Sequence, residues 1–250
     1  MAQFDSSYTA WDAPPLIVAS TDDAIDVWLI SLTQPGDSYA SLTDILSPSE
    51  QERAARFKFE VHRRRFVVAH AALRSILSQY LKTTPASLQF VNNANGKPRL
   101  TPGLDWSGVK FNLSHSQETA LLAVAHNREV GIDIELIKED YGFEEVAARF
   151  FTARELASFR AQPLYRQRQA FFKCWTSKEA FLKAKGTGLS GKLDEVEILL
   201  TDDHRVVINA SVPGWTLTEL NPGGKYEAAL VVEGGPLPID CYRWEPKLAL

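Results

Sequence analysis

A single shift of 105 positions lays the second half of this chain on the first, and few folds satisfy that register. Ser47, Pro48 and Glu50 form a helix-start pattern in which a hydroxyl caps the third amide and a carboxylate reaches back. Thr152 and Glu155 repeat it 105 residues on. At the same offset Ile25, Val27 and Leu29 fall on Val130, Ile132 and Ile134, Phe66 on Phe171, Leu77 on Leu182, and Leu88 on Leu193. Periodicity predicts strands at 25–32, 88–91, 109–113, 119–125, 130–137, 194–200, 205–210, 215–220 and 226–232. Helices are predicted at 47–57, 60–81, from 152, and at 164–185. The expected fold is α+β, with two similar α/β halves in one chain, residues 20–127 and 128–240, related by a pseudo-twofold axis. A ligand would favour the crevice between such halves.

The chemistry departs from the symmetry. Along Val130–Ile137 the residues alternate, with Val130, Ile132, Ile134 and Leu136 on one face and Gly131, Asp133, Glu135 and Ile137 on the other. Two acids on one strand face repel unless a cation sits between them, the alternative being a solvated acidic edge. Glu179 and Lys183 share an arc of the 164–185 helix with Phe171, Phe172, Trp175 and Leu182, where an ordinary i,i+4 pair is the competing reading. In the first half the positions matching Asp133, Glu135 and Glu179 hold Trp28, Ile30 and Arg74. Three acids confined to one half suit a hard divalent cation, which takes a few carboxylate oxygens and keeps sites for water and phosphate. No His pair, CxxC or HExxH suggests zinc.

A basic run, Arg53, Arg56, Lys58, Arg63, Arg64 and Arg65 against Glu60, is a candidate anion site or a solvated helix face. The net charge of −4 argues against a nucleic-acid binder. Two cysteines without metal-ligand spacing, no basic segment before an apolar core and no membrane-length apolar run predict a reduced, cytoplasmic setting away from the membrane. No Walker A loop, G-x-G-x-x-G or G-x-S-x-G is present.

The ordered set Asn95-Gly-Lys97-Pro98, Asn112-Leu-Ser114-His115-Ser116, Gly131-Ile-Asp133-Ile-Glu135 and Trp175-Thr-Ser-Lys-Glu179-Ala-Phe-Leu-Lys183-Ala-Lys-Gly186 resembles the Sfp-type 4′-phosphopantetheinyl transferases, in their W/KEA-like branch. The resemblance spans roughly residues 25–235. It implies an enzyme of the holo-[acyl-carrier-protein] synthase type. Such enzymes move the 4′-phosphopantetheine arm of coenzyme A onto a carrier-protein serine, releasing adenosine 3′,5′-bisphosphate. Carried over, Asp133, Glu135 and Glu179 would hold Mg²⁺, with Mn²⁺ as an alternative. Glu179 would be the base, and Lys183 would contact the phosphates. Arg53, Arg65, Lys97, Asn112, Ser114 and His115 would bind the nucleotide end. Glu50 stands where some members have a lysine, which implies a differently built 3′-phosphate clamp. Phe150–Phe151 and residues 152–170, with Arg154, Arg160, Arg166 and Arg168, are the expected carrier-docking face, the alternative being a solvated basic helix. The acceptor would be an acyl carrier protein or a polyketide- or peptide-synthetase carrier domain, and the two-in-one chain implies a monomer. A non-catalytic coenzyme A or carrier-binding module and a metal-dependent phosphohydrolase are the alternatives.

Overall fold

The computed structural model describes residues 10–16, 18, 21–105, 107–139, 142–188, 193, 196–201, 203–209 and 213–246. Its contacts divide into two units. One comprises residues 11–91, 98–127 and the chain from 238; the other comprises 92–97 and 128–237. No helix among the described residues is long and apolar enough to cross a membrane.

In the N-terminal unit, strand β1 (Ile25–Ser31) is followed by helices α1 (Gly36–Thr43), α2 (Pro48–Ala55) and α3 (Glu60–Tyr80). After a 3₁₀ turn come strands β2 (Phe90–Asn92) and β3 (Pro98–Leu100), the short helix α4 (Pro102–Asp105), and strands β4 (Val109–Ser116) and β5 (Thr119–His126). Strands β4 and β5 pair antiparallel, β5 pairs antiparallel with β1, and β11 (Ile239–Trp244) adds itself parallel to the far edge of β1. Helix α3 buries Val67, Leu73, Ile76 and Leu77 in one apolar cluster with Trp28 and Ile30 of β1 and Leu122 and Val124 of β5.

The C-terminal unit runs through the same order. Strand β6 (Val130–Leu136) leads to α5 (Phe143–Phe150), α6 (Ala153–Arg160) and α7 (Leu164–Lys185). Short strands β7 (Ile198–Leu200) and β8 (Val206–Ile208) precede β9 (Trp215–Leu220) and β10 (Tyr226–Glu233). Strand β10 pairs antiparallel with both β6 and β9. The α+β class stands, and a strand, a capped short helix, a long helix and a closing hairpin occur in each unit.

Both predicted capping boxes form. The Ser47 hydroxyl accepts from Glu50 N while Glu50 accepts from Ser47 N, and Thr152 and Glu155 do the same. Each of these glutamates also grips a buried cation from the long helix. Arg74 Nε donates to Glu50 Oε2 at 2.6 Å and its NH1 to Pro85 O and Leu88 O. Lys178 Nζ, fully buried, donates to Glu155 Oε1 at 2.7 Å and to Leu193 O and Val196 O. The three acceptors take all three ammonium protons, so the buried charge is both paired and hydrogen-bonded.

Several expectations shift. The strand predicted from Leu88 starts at Phe90, because Pro85 opens a 3₁₀ turn and Leu88 drops into the core at 1% exposure. The strand predicted over 194–200 is described only at 198–200, and residues 194 and 195 lie outside the described residues. Helices α1, α4 and α5 and strands β3 and β11 go beyond the expected elements. Strand β11 has only a weak alternation, and its burial comes from its pairing with β1.

Candidate active site

Strand β6 and helix α7 cross at a glycine. A Cβ on Gly131 would stand 2.1 Å from Ala180 O and 2.2 Å from Ala184 N. Only a residue without a side chain lets the strand lie this close to the helix. The approach sets Asp133 and Glu135, which share the face of Gly131, beside α7. The opposite face, Val130, Ile132 and Ile134, is fully buried.

On α7 the apolar residues anchor the helix so that its polar residues meet that strand. The Trp175 ring stacks on Phe171 at 5.9 Å and meets Phe150 edge-on at 5.8 Å. Phe171 in turn stacks on Phe151. In the Trp-Thr-Ser-Lys-Glu motif, Trp175 and Lys178 therefore serve packing, and Thr176 and Ser177 return their hydroxyls to carbonyls one turn back. Glu179 is left to the strand side. Helix α7 ends at Gly186, in the left-handed conformation with φ 68°.

The charges of this face act on one another. Lys183 Nζ donates to Asp133 Oδ1 at 2.6 Å, with the Asp133 side chain 5% exposed. Burial pushes the Glu179 carboxyl up to about 7; the charge of Asp133 adds to the rise, Lys183 opposes it, and Glu135 adds a smaller amount. Glu179 Oε1 is buried without a hydrogen-bond partner. A further acid lies in the same sheet: Glu227 on β10 is directly opposite Glu135, and burial raises it to about 7 even though Gln169 donates to it at 2.7 Å. A buried carboxylate oxygen with no donor, close to the charges of Asp133 and Glu135, fits a divalent cation. Among the described residues no three such side chains already close into a ligand shell. Magnesium does not need one, since it usually takes one or two carboxylates and completes its octahedron with water and substrate phosphate.

The other expected residues are dispersed. Lys97 stands in the C-terminal unit, where its ammonium donates to Glu129 Oε2 at 2.9 Å and to Val130 O and Ala184 O at 3.1 Å. In the N-terminal unit, Asn112 and Ser114 share one face of β4 and are buried, while His115 points the other way and is exposed. Arg53 is exposed, over the Phe66 ring, and Arg65 NH1 donates to Gln117 Oε1. Glu50 is drawn into the fold rather than offered to a ligand. Burial alone would raise its carboxyl, yet bonds from His70, Arg74 and Ser47 hold it near 2. The expected docking face is altered too. Phe151 is buried, Arg154 pairs with Glu197 and Arg160 with Glu144, while Leu164 and Tyr165 are 85% and 79% exposed.

Gly131, Lys178 and Glu227 were missed in the sequence. The first had a signal, a glycine inside a strand pattern. The burial of Lys178 and Glu227 follows only from tertiary packing.

Two α/β units, one of which sets acids and a lysine between a strand and its long helix, define the class of protein to which the chain is compared. Residues 129–231 match the 4′-phosphopantetheinyl transferase superfamily, and residues 34–127 match the family described as 4′-phosphopantetheinyl transferase, N-terminal. The chain is 40% identical over 237 residues to 4′-phosphopantetheinyl transferase HetI of Nostoc sp., covering 95% of this chain and 96% of that one. It is 30% identical to 4′-phosphopantetheinyl transferase Sfp of Bacillus subtilis, over 81% of this chain and 90% of that one. A holo-(acyl-carrier-protein) synthase from Bacillus anthracis, solved in complex with CoA (3′,5′-ADP), overlaps 43% of this chain and 96% of its own at 21% identity and a TM-score of 0.35. The protein belongs to the 4′-phosphopantetheinyl transferase superfamily.

Proposed function

We propose that this protein transfers the 4′-phosphopantetheine arm of coenzyme A to a serine of an acyl or peptidyl carrier protein and releases adenosine 3′,5′-bisphosphate. The observation that carries the reading is the buried, donor-less oxygen of Glu179 beside Asp133 and Lys183. Asp133, Glu135 and Glu179 would hold Mg²⁺ or Mn²⁺. Such an ion neutralises pyrophosphate charge and fixes the leaving group for in-line displacement.

The protein's own groups divide the remaining work. Glu179 would take the serine proton as the hydroxyl attacks the β-phosphorus, a role supported by its carboxyl being raised to about 7. Lys183 is the cation that pairs with Asp133. It is held by Asp133 in this structure, and on substrate binding it would present its ammonium to the phosphates and to the charge growing on the departing bisphosphate. Arg53, Arg65, Asn112, Ser114 and His115 are the groups proposed for the nucleotide. The acceptor is a carrier protein, and the protein works as a cytoplasmic monomer without nucleic acid or membrane.

The test is intact mass of an apo acyl carrier protein after incubation with this protein, coenzyme A and Mg²⁺, with an EDTA control. A gain of one phosphopantetheinyl group, lost in EDTA and lost in Asp133→Ala of unchanged thermal stability, supports the reading. Coenzyme A bound but never transferred would mark a binding module. Phosphate release without a carrier would mark a hydrolase.

A further inference from the structure

The Asn92–Lys97 turn has more contacts with the catalytic elements than a loop needs for its own order. The turn is internally fixed. Asn93 N donates to Lys97 O, and Asn93 Oδ1 accepts from both Asn95 N and Lys97 N at 2.9 Å. Its side chains then reach outward to two places. Asn93 Nδ2 and Asn95 Nδ2 both donate to Gly186 O, at 2.8 and 2.9 Å. Lys97 places its ammonium between Ala184 O in the last turn of α7, Val130 O at the first residue of β6, and the Glu129 carboxylate. The side chain is 14% exposed, and three acceptors account for all three N–H groups.

The site chosen is chemically specific. The last carbonyls of a helix lack intrahelical donors and carry the negative end of its dipole, so a cation and two amides are suited to that end. Gly186 has φ 68°, the left-handed region that favours glycine, and a Cβ there would also press on the Asn93 amide at 2.8 Å. The elements joined are the two that carry the catalytic groups. Val130 is three residues before Asp133 on β6, and Ala184 follows Lys183 on α7. The clamp acts at the end of the crossing where Gly131 meets Ala180 and Ala184.

We propose that Lys97, with Asn93, Asn95 and Glu129, is a positioning clamp that sets the separation of β6 from α7. It thereby sets the spacing of Asp133 and Glu135 against Glu179 and Lys183. Lys97 acts through those residues and makes no contact with phosphate. The inference rests on the transferase reading, which fails separately if the wild-type protein does not modify a carrier.

The experiment compares wild type with Lys97→Met, Glu129→Gln and Asn95→Ala. Four quantities are measured: kcat, KM for coenzyme A, the Mg²⁺ concentration for half-maximal rate, and coenzyme A affinity by calorimetry in EDTA. A clamp predicts that Lys97→Met lowers kcat by about tenfold to a hundredfold, the scale of a misplacement near 1 Å. It also predicts a higher Mg²⁺ requirement, with coenzyme A affinity in EDTA within about twofold of wild type, because one phosphate contact would change it more. Glu129→Gln should move kcat and the Mg²⁺ requirement the same way by less, and the double variant should fall short of the product of the single effects. A large loss of coenzyme A affinity in Lys97→Met with kcat unchanged would make Lys97 a phosphate ligand and overturn the clamp. A lower melting temperature with kcat of the folded protein unchanged would reduce it to scaffold and overturn it too. Should Lys97→Met not fold, Asn95→Ala, which removes one of two amides from Gly186 O, carries the same kcat and Mg²⁺ predictions at smaller size. A normal Mg²⁺ requirement in that variant would overturn the clamp.

Discussion

Replacing Glu179 by glutamine should stabilise the metal-free protein while abolishing turnover, and the size of the gain can be worked from the site. Burial, Asp133 and Glu135 together outweigh Lys183 and move the carboxyl from 4.5 to about 7. At full ionisation that difference corresponds to roughly 3 kcal/mol. The side chain keeps part of its surface in water, so about 2 kcal/mol is the better figure. The native state holds its proton more tightly than the unfolded chain. Stability therefore falls as pH rises from 4.5 to about 7 and stays lower above. Glutamine has the same shape and no charge, so it should remove that loss. In EDTA at pH 8.5 the melting temperature of Glu179→Gln should exceed wild type by roughly 4–8 °C, and the gap should narrow at pH 5. Adding Mg²⁺ at pH 8.5 should raise the wild type and leave the variant nearly unmoved, because binding to the native state alone stabilises by mass action. A gain of the same size at pH 5 and 8.5, or none at 8.5, would refute the picture of an acid held against its neighbours. Retained turnover in saturating Mg²⁺ would remove Glu179 as base.

Gly131→Ala should leave a folded protein whose kcat falls by about a hundredfold, since the strand must retreat about 1 Å from α7 to admit a methyl group now 2.1 Å from Ala180 O. Near-normal kcat with unchanged circular dichroism would show that the β6–α7 spacing does not set the rate. Lys178→Met should cost about 3–5 kcal/mol in urea unfolding, because it leaves the Glu155 carboxylate buried without its cation. Adding Glu155→Gln should recover part of that loss, and strictly additive losses would mean that the pair is not coupled.

The fold was legible where local rules and packing agree. Two capping boxes in one register, and an alternating strand ahead of each, announced the duplicated order, because caps and periodicity depend on a few adjacent residues. The acids were legible because their types are costly on such a strand and the matching positions in the first half hold Trp28 and Ile30. What could not be read were decisions made by neighbours distant in sequence. Lys97 in a glycine turn looks like a free cation until Ala184 and Glu129 are brought beside it. Lys178, next to Glu179, looks as available as Lys183, yet one is fully buried beneath the helix and the other lies at the site. Strand β11 has little pattern of its own and exists through its pairing with β1.

Within each unit, the groups that hold it together are separate from those on its strand face. In each, the capping-box glutamate that starts the short helix also takes a cation from the long helix, and that cation closes on the carbonyls of the loop beyond. Glu50, Arg74 and Leu88 do this in one unit, and Glu155, Lys178 and Leu193 in the other. Leu88 and Leu193, like Glu50 and Glu155, are 105 positions apart. The lock fixes short helix, long helix and loop without using any residue on the strand face. That face is then free to differ. In the N-terminal unit it is settled, with Trp28 Nε1 donating to Tyr80 and Tyr80 donating to Asp26 at 2.5 Å. In the C-terminal unit Lys183 pairs with Asp133, and a buried oxygen of Glu179 lacks a donor. Acids crowded together in a buried place would destabilise a scaffold that depended on them. Here the scaffold is anchored elsewhere, so the strand face can keep an acid such as Glu179 whose carboxyl is raised by burial and its neighbours.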